Sequence, residues 1–310
     1  MENNFKNKEH INNDAEINFF ELFSVLWIGK WLISSSTLIF SVAAIIYSLS
    51  LPNIYQSTAL LSPVSGSGGI SQALDGYQGI ASLAGINLSS KSSGGNSVKA
   101  IEKLQTLSFF EENILPNIFL PDLMALESWN PSTNTLIYNK NKYDIETNLW
   151  IGKSSSNKPS NQESFITFKK NHLTFSENQN TGFLTIRIKH KSPHIAQDWL
   201  YVIVNELNNF YRSKDKLEAE ASMAYLNAQM LRTSFSEIKQ VIAALLQQKM
   251  QQLTLIEASD SYVFDYIDPP AALEKKVEPR RSMICILGFI VGAIIGMFFV
   301  LIRHYGLNRN

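Results

Sequence analysis

Cysteine is almost absent from this 310-residue chain, Cys285 being the single one. An intramolecular disulfide and a cysteine-rich metal centre are therefore excluded. Net charge is absent as well, since 27 Lys and Arg stand against 27 Asp and Glu. A general nucleic-acid binder needs surplus cations to displace phosphate counterions, so that class is excluded too. Charge is also missing from two long apolar runs, Trp31 to Leu51 and Met283 to Ile302. At about 1.5 Å per helical residue, each can cross a hydrocarbon core of about 30 Å. A cleaved signal peptide has an apolar region of only about 7–15 residues, and an acidic tail precedes the first run. Both runs are read as transmembrane helices.

Two spans put both chain ends on one side and residues 52–282 on the other. Lys6, Lys8 and Lys30 precede the first span, whereas no Lys or Arg follows it until Lys91. The positive-inside rule then makes 1–30 a cytoplasmic tail, 31–51 the first span, 52–282 a translocated domain, 283–302 the second span and 303–310 a cytoplasmic tail. Lys275, Lys276, Arg280 and Arg281 before the second span oppose this orientation. Long loops are translocated largely regardless of charge, so the first span decides.

Within 52–282 the charges balance and point to no charged ligand. "IYQSTALLSP" places Tyr55, Ser57, Ala59 and Leu61 on one face of a strand. Ser65 to Ser97 is a Gly- and Ser-rich loop around the apolar insert "GIASLAGINL". Ser97 is a plausible N-cap for the helical pattern "SVKAIEKLQTLSFFEENI". Residues 117–159 read as irregular, "ESFITFKK" and "HLTFSEN" as short strands, and "GFLTIRIKH" as a strand with one buried face. Ser192 and Pro193 then start a helix as N-cap and N1.

Glycine and proline are both missing from His194 to Asp268. Apolar and small residues recur there at steps of three and four, giving one stripe on a long helix of about 194–258, or on two helices broken near "RSKDKLEAE". A continuous helix would be about 95 Å long. Leu217, Ala224, Leu231, Phe235, Ile238 and Ile242 form the part of the stripe for which a partner copy is expected. In the spans, Gly288, Gly292 and Gly296 stand at i, i+4 and i+8, a small-residue pattern that allows close packing in lipid. Thr37, Ser41, Ala44 and Ser48 offer the matching face.

Catalytic constellations are lacking. "WIGKSS" has the Gly-Lys-Ser of a phosphate loop, but Thr147 stands where its first Gly is required. His190 and His194 are separated by Pro193 and a strand-to-helix junction, which denies them one helical face for zinc. No cofactor or metal is expected. In "FDYIDPP" the acidic residues are read as ending the helix before an extended return.

The N-terminal "INFFELFSVLWIGKWLI" and "YSLSLPNIYQSTALLSP", with Pro52 and Tyr55, resemble the bacterial Wzz-type chain-length determinants, or polysaccharide co-polymerases. "GIASLAGI", "KSPHIAQDWLYVIVNELNNFY" and "FDYIDPPAALEKKVEPRR", with Pro269, Pro270, Pro279 and Arg280, resemble further parts of that family, whose second proline pattern is usually denser. The resemblance implies an α+β membrane protein. Two transmembrane helices would flank a periplasmic chain-length-determinant domain with an α/β membrane-proximal base and a long protruding helix. It further implies a non-enzymatic homo-oligomer, a ring or bell in the bacterial inner membrane. Its partners would be a polysaccharide polymerase and the growing lipid-linked polysaccharide, and its role to regulate the chain length of O-antigen or a related polymer. Eight residues after Ile302 leave no room for the kinase domain some relatives carry, so none is expected. A capsule or exopolysaccharide co-polymerase served by a separate kinase is the alternative. A two-span periplasmic sensor is more remote, because the tails are too short for an output module.

Overall fold

The computed structural model describes residues 19–64, 95–152, 158–259 and 261–306. The insert "GIASLAGINL", most of its Gly- and Ser-rich surroundings, Lys6, Lys8 and the Lys-Ser of "WIGKSS" lie outside these residues. The chain divides into two compact units, Met1–Leu51 with Pro279–Asn310, and Pro52–Glu278.

The first unit holds helix α1 (Phe19–Ile28), helix α2 (Lys30–Ser50) and, from the other chain end, a helix over Arg281–Leu301. The last two are long and apolar enough to cross a membrane. Arg281 and Ser282, placed before the second span by the sequence reading, belong to its first turn, with Arg280 at the N-cap.

In the second unit, β1 (Tyr55–Pro63) buries Tyr55, Ser57, Ala59 and Leu61 in strict alternation. Next come α3 (Gly95–Leu104) and α4 (Leu107–Phe109), the latter continuing as a wide turn over Phe110–Ile114. Ser97 is a buried residue inside α3 and not its cap, because the helix begins two residues earlier. A side-chain cap does stand at the start of α4, where the Thr106 hydroxyl accepts from the Phe109 N–H.

Residues 117–152 hold more regular structure than their composition suggested. They contain α5 (Leu120–Met124), a hairpin of β2 (Leu126–Asn130) and β3 (Thr135–Tyr138), and a small hairpin of β4 (Tyr143–Asp144) and β5 (Leu149–Trp150). Asn134 and Asn148 take positive φ near the two turns, a conformation Asn adopts more readily than most residues. "ESFITFKK" is not a strand but α6 (Asn161–Thr167) followed by a turn over Phe168–His172. The reason is local. Ser160 and Glu163 have the S-x-x-E spacing of a capping box, and the Ser160 hydroxyl accepts from the Glu163 N–H at 3.1 Å. Phe165 and Phe168 from this segment then pack on Phe110.

Strands β6 (Leu173–Glu177) and β7 (Leu184–His190) follow, turning at Gly182 with φ 69°. Helix α7 (Pro193–Arg232), helix α8 (Ser236–Ala258) and β8 (Phe264–Asp268) complete the unit, and the apolar helix Arg281–Leu301 is α9. The sheet is antiparallel with order β6-β7-β1-β8. "FDYID" is therefore the fourth strand, paired with β1, rather than a helix terminus.

The expected helix over 194–258 is two helices. Thr233 and Phe235 are both extended, which ends α7 and sets the start of α8. Ser and Thr are weaker helix formers than the residues around them, so "RTSFSE" is a place where a helix can end without Gly or Pro. The break is not near "RSKDKLEAE". α8 folds back along the second half of α7: Lys216 pairs with Glu257 at 2.8 Å, and Ser222 and Leu226 share a cleft with Leu245 and Lys249. No single rod of about 95 Å exists.

The core lies between the sheet and the first half of α7. Ala59, Leu61, Leu184, Ile186 and Ile188 from the sheet meet Trp199, Leu200, Ile203, Val204 and Leu207, spaced by three or four on the helix. Each large apolar side chain fully buried contributes about 1.5–3 kcal/mol.

Candidate functional site

Three places carry the residues singled out from the sequence. In the helix pair, the glycines of α9 face α2. A Cβ at Gly292 would stand 2.8 Å from Phe40 Cβ and 2.9 Å from Thr37 Cα, and one at Gly296 would stand 2.9 Å from Ile33 Cα. One at Gly288 would collide with Ala44. The Ser36 hydroxyl donates to the Gly292 carbonyl at 3.0 Å. Thr37 and Ser48 are buried, whereas Ser41 is only partly so and is not among the nearest neighbours of these glycines. Ile33, Ser36 and Phe40 were missed by the sequence reading; continuing the i, i+4 spacing back from Ala44 would have reached the last two. Gly29, between α1 and α2, was missed as well: Val300 occupies the space a side chain there would need.

The second place joins the two ends of the Pro52–Glu278 unit. Ile54 N–H donates to the Glu278 carbonyl at 2.9 Å, and Val277 N–H returns to the Ile54 carbonyl at 2.9 Å. The Ser57 hydroxyl donates to the Ala271 carbonyl and the Gln197 amide to the Pro270 carbonyl, each at 2.9 Å. Lys189 and Glu278 form an ion pair at 2.6 Å. Proline cannot donate to a ladder, so around Pro269–Ala271 side chains hold the return segment until backbone pairing resumes at Val277 and Glu278. Tyr55 packs edge-on against Trp129. Pro52 and Pro269 are exposed, while Pro270 is buried. Pro279 and Arg280 belong to the other unit.

The third place is the hairpin of α7 and α8. Of the six stripe residues, Ile242 is 7% exposed and Leu231 is 88% exposed. Leu217, Ala224, Phe235 and Ile238 are exposed like Leu231. The hairpin buries a different line, with Ala219 on α7 and Ile242 and Ile256 on α8. Its base is fixed by polar contacts. Tyr262 donates to Asp215 at 2.6 Å, and burial together with that carboxylate raises the phenol well above its usual pKa. Asn208, buried mid-helix, accepts from the N–H groups of Val263 and Phe264 and donates to the Phe264 carbonyl. It was not foreseen, because an Asn in a long polar-rich helix reads as surface.

His190 and His194 do not converge. His194 lies edge-on against Trp129, whereas His190 is buried beside His172, with ring centroids 5.4 Å apart, and both rings pack on Trp199. Burial pushes His172 down to about 4, and burial with the neighbouring His172 pushes His190 down to about 3. Asp122 is raised by burial while its carboxylate accepts from the Tyr138 hydroxyl at 2.6 Å. Among the described residues, no group of three or more His, Cys, Asp or Glu is placed to hold a metal ion.

No curated protein matches the chain. Among solved structures, a "full-length bacterial polysaccharide co-polymerase" is 15% identical, with 94% of this chain and 99% of that chain covered and a TM-score of 0.43. A fragment of WzzB, a polysaccharide co-polymerase from Salmonella Typhimurium, is 11% identical, with 73% of this chain and 100% of that chain covered and a TM-score of 0.35. Two family descriptions match the sequence itself. Residues 231–305 match "G-rich domain on putative tyrosine kinase", and residues 15–113 match "Wzz: Chain length determinant protein". Matched by these two descriptions towards its two ends, the chain belongs to the Wzz-type family of chain-length determinants, the polysaccharide co-polymerases.

Proposed function

We propose that the chain regulates the length of O-antigen lipopolysaccharide in the bacterial inner membrane, together with a polysaccharide polymerase and without chemistry of its own. The observation that carries this reading is the chain-length-determinant match over residues 15–113. In this reading α2 and α9 are the two spans, packed along Gly288, Gly292 and Gly296, with both termini cytoplasmic and the Pro52–Glu278 unit periplasmic. The lysines before α2 and the lack of Lys or Arg just after it support that orientation. Copies assemble through Leu217, Ala224 and Leu231 on α7, with Phe235 and Ile238 at and after the turn, all of which the α7–α8 hairpin leaves exposed. Ile242 is removed from that role by its burial within the hairpin. The growing lipid-linked polysaccharide is the further partner.

A second reading has its own support. The match over residues 231–305 to a domain named for a tyrosine kinase favours a capsule or exopolysaccharide co-polymerase working with a separate kinase. One experiment tests both. Deleting the gene is expected to leave polysaccharide synthesis intact while the modal band on a surface-polysaccharide gel disperses into a broad length distribution. An unchanged modal band in every surface polymer overturns the proposal. Which polymer changes separates O-antigen from capsule.

A further inference from the structure

We propose that His172 and His190 form an acid-operated latch that holds residues 120–150 against the start of α7 when both rings are neutral and releases them when the rings are protonated. The inference does not depend on which polymer the protein serves.

His190 stands where three parts of the domain meet. It ends strand β7, its Nδ1 accepts the N–H of Ser192 at 3.1 Å, and its Nε2 donates to the carbonyl of Asp122 in α5 at 3.1 Å. These two bonds require one neutral tautomer, with the proton on Nε2. A proton added at Nδ1 would point at the Ser192 N–H, two donors facing each other. It would also place a positive charge at the N-terminus of a 40-residue helix, where the helix dipole is already positive.

His172 adds a second titrating ring. Its Nδ1 donates to the Lys189 carbonyl at 2.7 Å, which leaves Nε2 to take the additional proton. The charged surroundings favour neutrality. Lys191 bears on both rings, and Lys169 and Lys170 share the turn with His172. Lys142 faces Lys191 from the β3–β4 connection, with Glu127 the opposing carboxylate. The Asp122 carboxylate is engaged with Tyr138, and on α7 the rings meet the uncharged Trp199.

Both rings titrate well below the ordinary histidine value of 6.5, at about 4 and about 3. The closed state is therefore favoured in full above about pH 6.5 and loses that advantage as pH falls towards the two lower values. Release is local, because β7 is held to β1 and β6 by ladders that do not use these side chains. Residues 120–150 have no strand in that sheet; beside the burial of Leu123, Ala125 and Leu126, they are tied down by His190 at Asp122, by Lys191 at the Leu126 carbonyl, and by Trp129 between Tyr55 and His194.

The test is hydrogen exchange on the full chain in detergent micelles between pH 7 and 4, corrected for intrinsic exchange. Amides in 120–150 should lose protection by up to about 100-fold per pH unit once both rings take up protons on opening, while β1 and β7 amides keep theirs. His172→Phe retains an aromatic ring on Trp199 but cannot titrate, and should reduce the slope to about tenfold per unit. His190→Gln should flatten it similarly, and if that variant fails to fold the His172→Phe result alone decides. Protection in 120–150 that persists to pH 4, a slope unchanged by His172→Phe, or simultaneous loss across β1 and β7 overturns the latch.

Discussion

Helix α7 is one helix with two different halves. Over residues 193–211 it buries Ile195, Ala196, Trp199, Leu200, Ile203, Val204, Leu207 and Tyr211 against the sheet and the aromatic layer. Over residues 212–232 only Ala219 is buried, although α8 lies alongside. The difference is in what each half is offered. The first half meets a sheet face wide enough to cover a stripe about 100° across, whereas the second meets a single helix that covers a narrow seam. The apolar line Leu217, Ala224 and Leu231, repeating every seven residues, is left in water by this geometry. An exposed repeat of this kind is the sort of surface that marks a partner site.

Three substitutions should affect the two halves differently. The largest effect on the fold is expected at Ile203→Ala in the first half. It should lower the unfolding free energy by about 2–5 kcal/mol, read from chemical denaturation by tryptophan fluorescence. A loss below about 1 kcal/mol would mean that this half is not the fixed one. Next comes Asn208→Ala, at the boundary between the halves. Removing it strands two N–H groups and a carbonyl at the start of β8, with an expected cost of about 1–3 kcal/mol and faster exchange of the Val263 and Phe264 amides. The smallest effect on the fold belongs to Leu231→Glu, within about 0.5 kcal/mol of the parent at so exposed a position. Its effect on assembly should be the opposite, with particle mass by light scattering in detergent falling below that of the parent. An unchanged mass would assign the exposed line to some other use.

Much of the domain was legible because its signals are local. β1 and β7 show period-two burial that can be read straight from "YQSTALL" and "LTIRIKH", and Ser192-Pro193 marks the start of α7. The failures have equally local causes. "ESFITFKK" carries strand-forming residues, yet the capping box at Ser160 and Glu163 and the docking of Phe165 and Phe168 on Phe110 make it helical. Absence of Gly and Pro left one long helix or two broken near "RSKDKLEAE" both open; there are two, but the break is at the extended backbone of Thr233 and Phe235. Of the glycine face in the spans, spacing supplied Gly288, Gly292 and Gly296 and two of their partners. Ser36 and Phe40 lie on the same spacing continued back from Ala44, whereas Ile33 depends on the angle at which α2 and α9 meet.

The sequence by itself determined the family, the two apolar helices at either end and the alternating strands, because each rests on residue order over a few turns or less. Tertiary structure alone decided which way the apolar stripe of α7 and α8 is spent, inward at Ile242 and outward at Leu231. It also decided that His172, His190 and Asp122 meet, since they come from a turn, a strand end and a short helix far apart in the chain. The physical reason is the same in both cases. Burial belongs to a neighbour's position as much as to a residue's type, and neighbours distant in sequence leave no periodic mark on either partner.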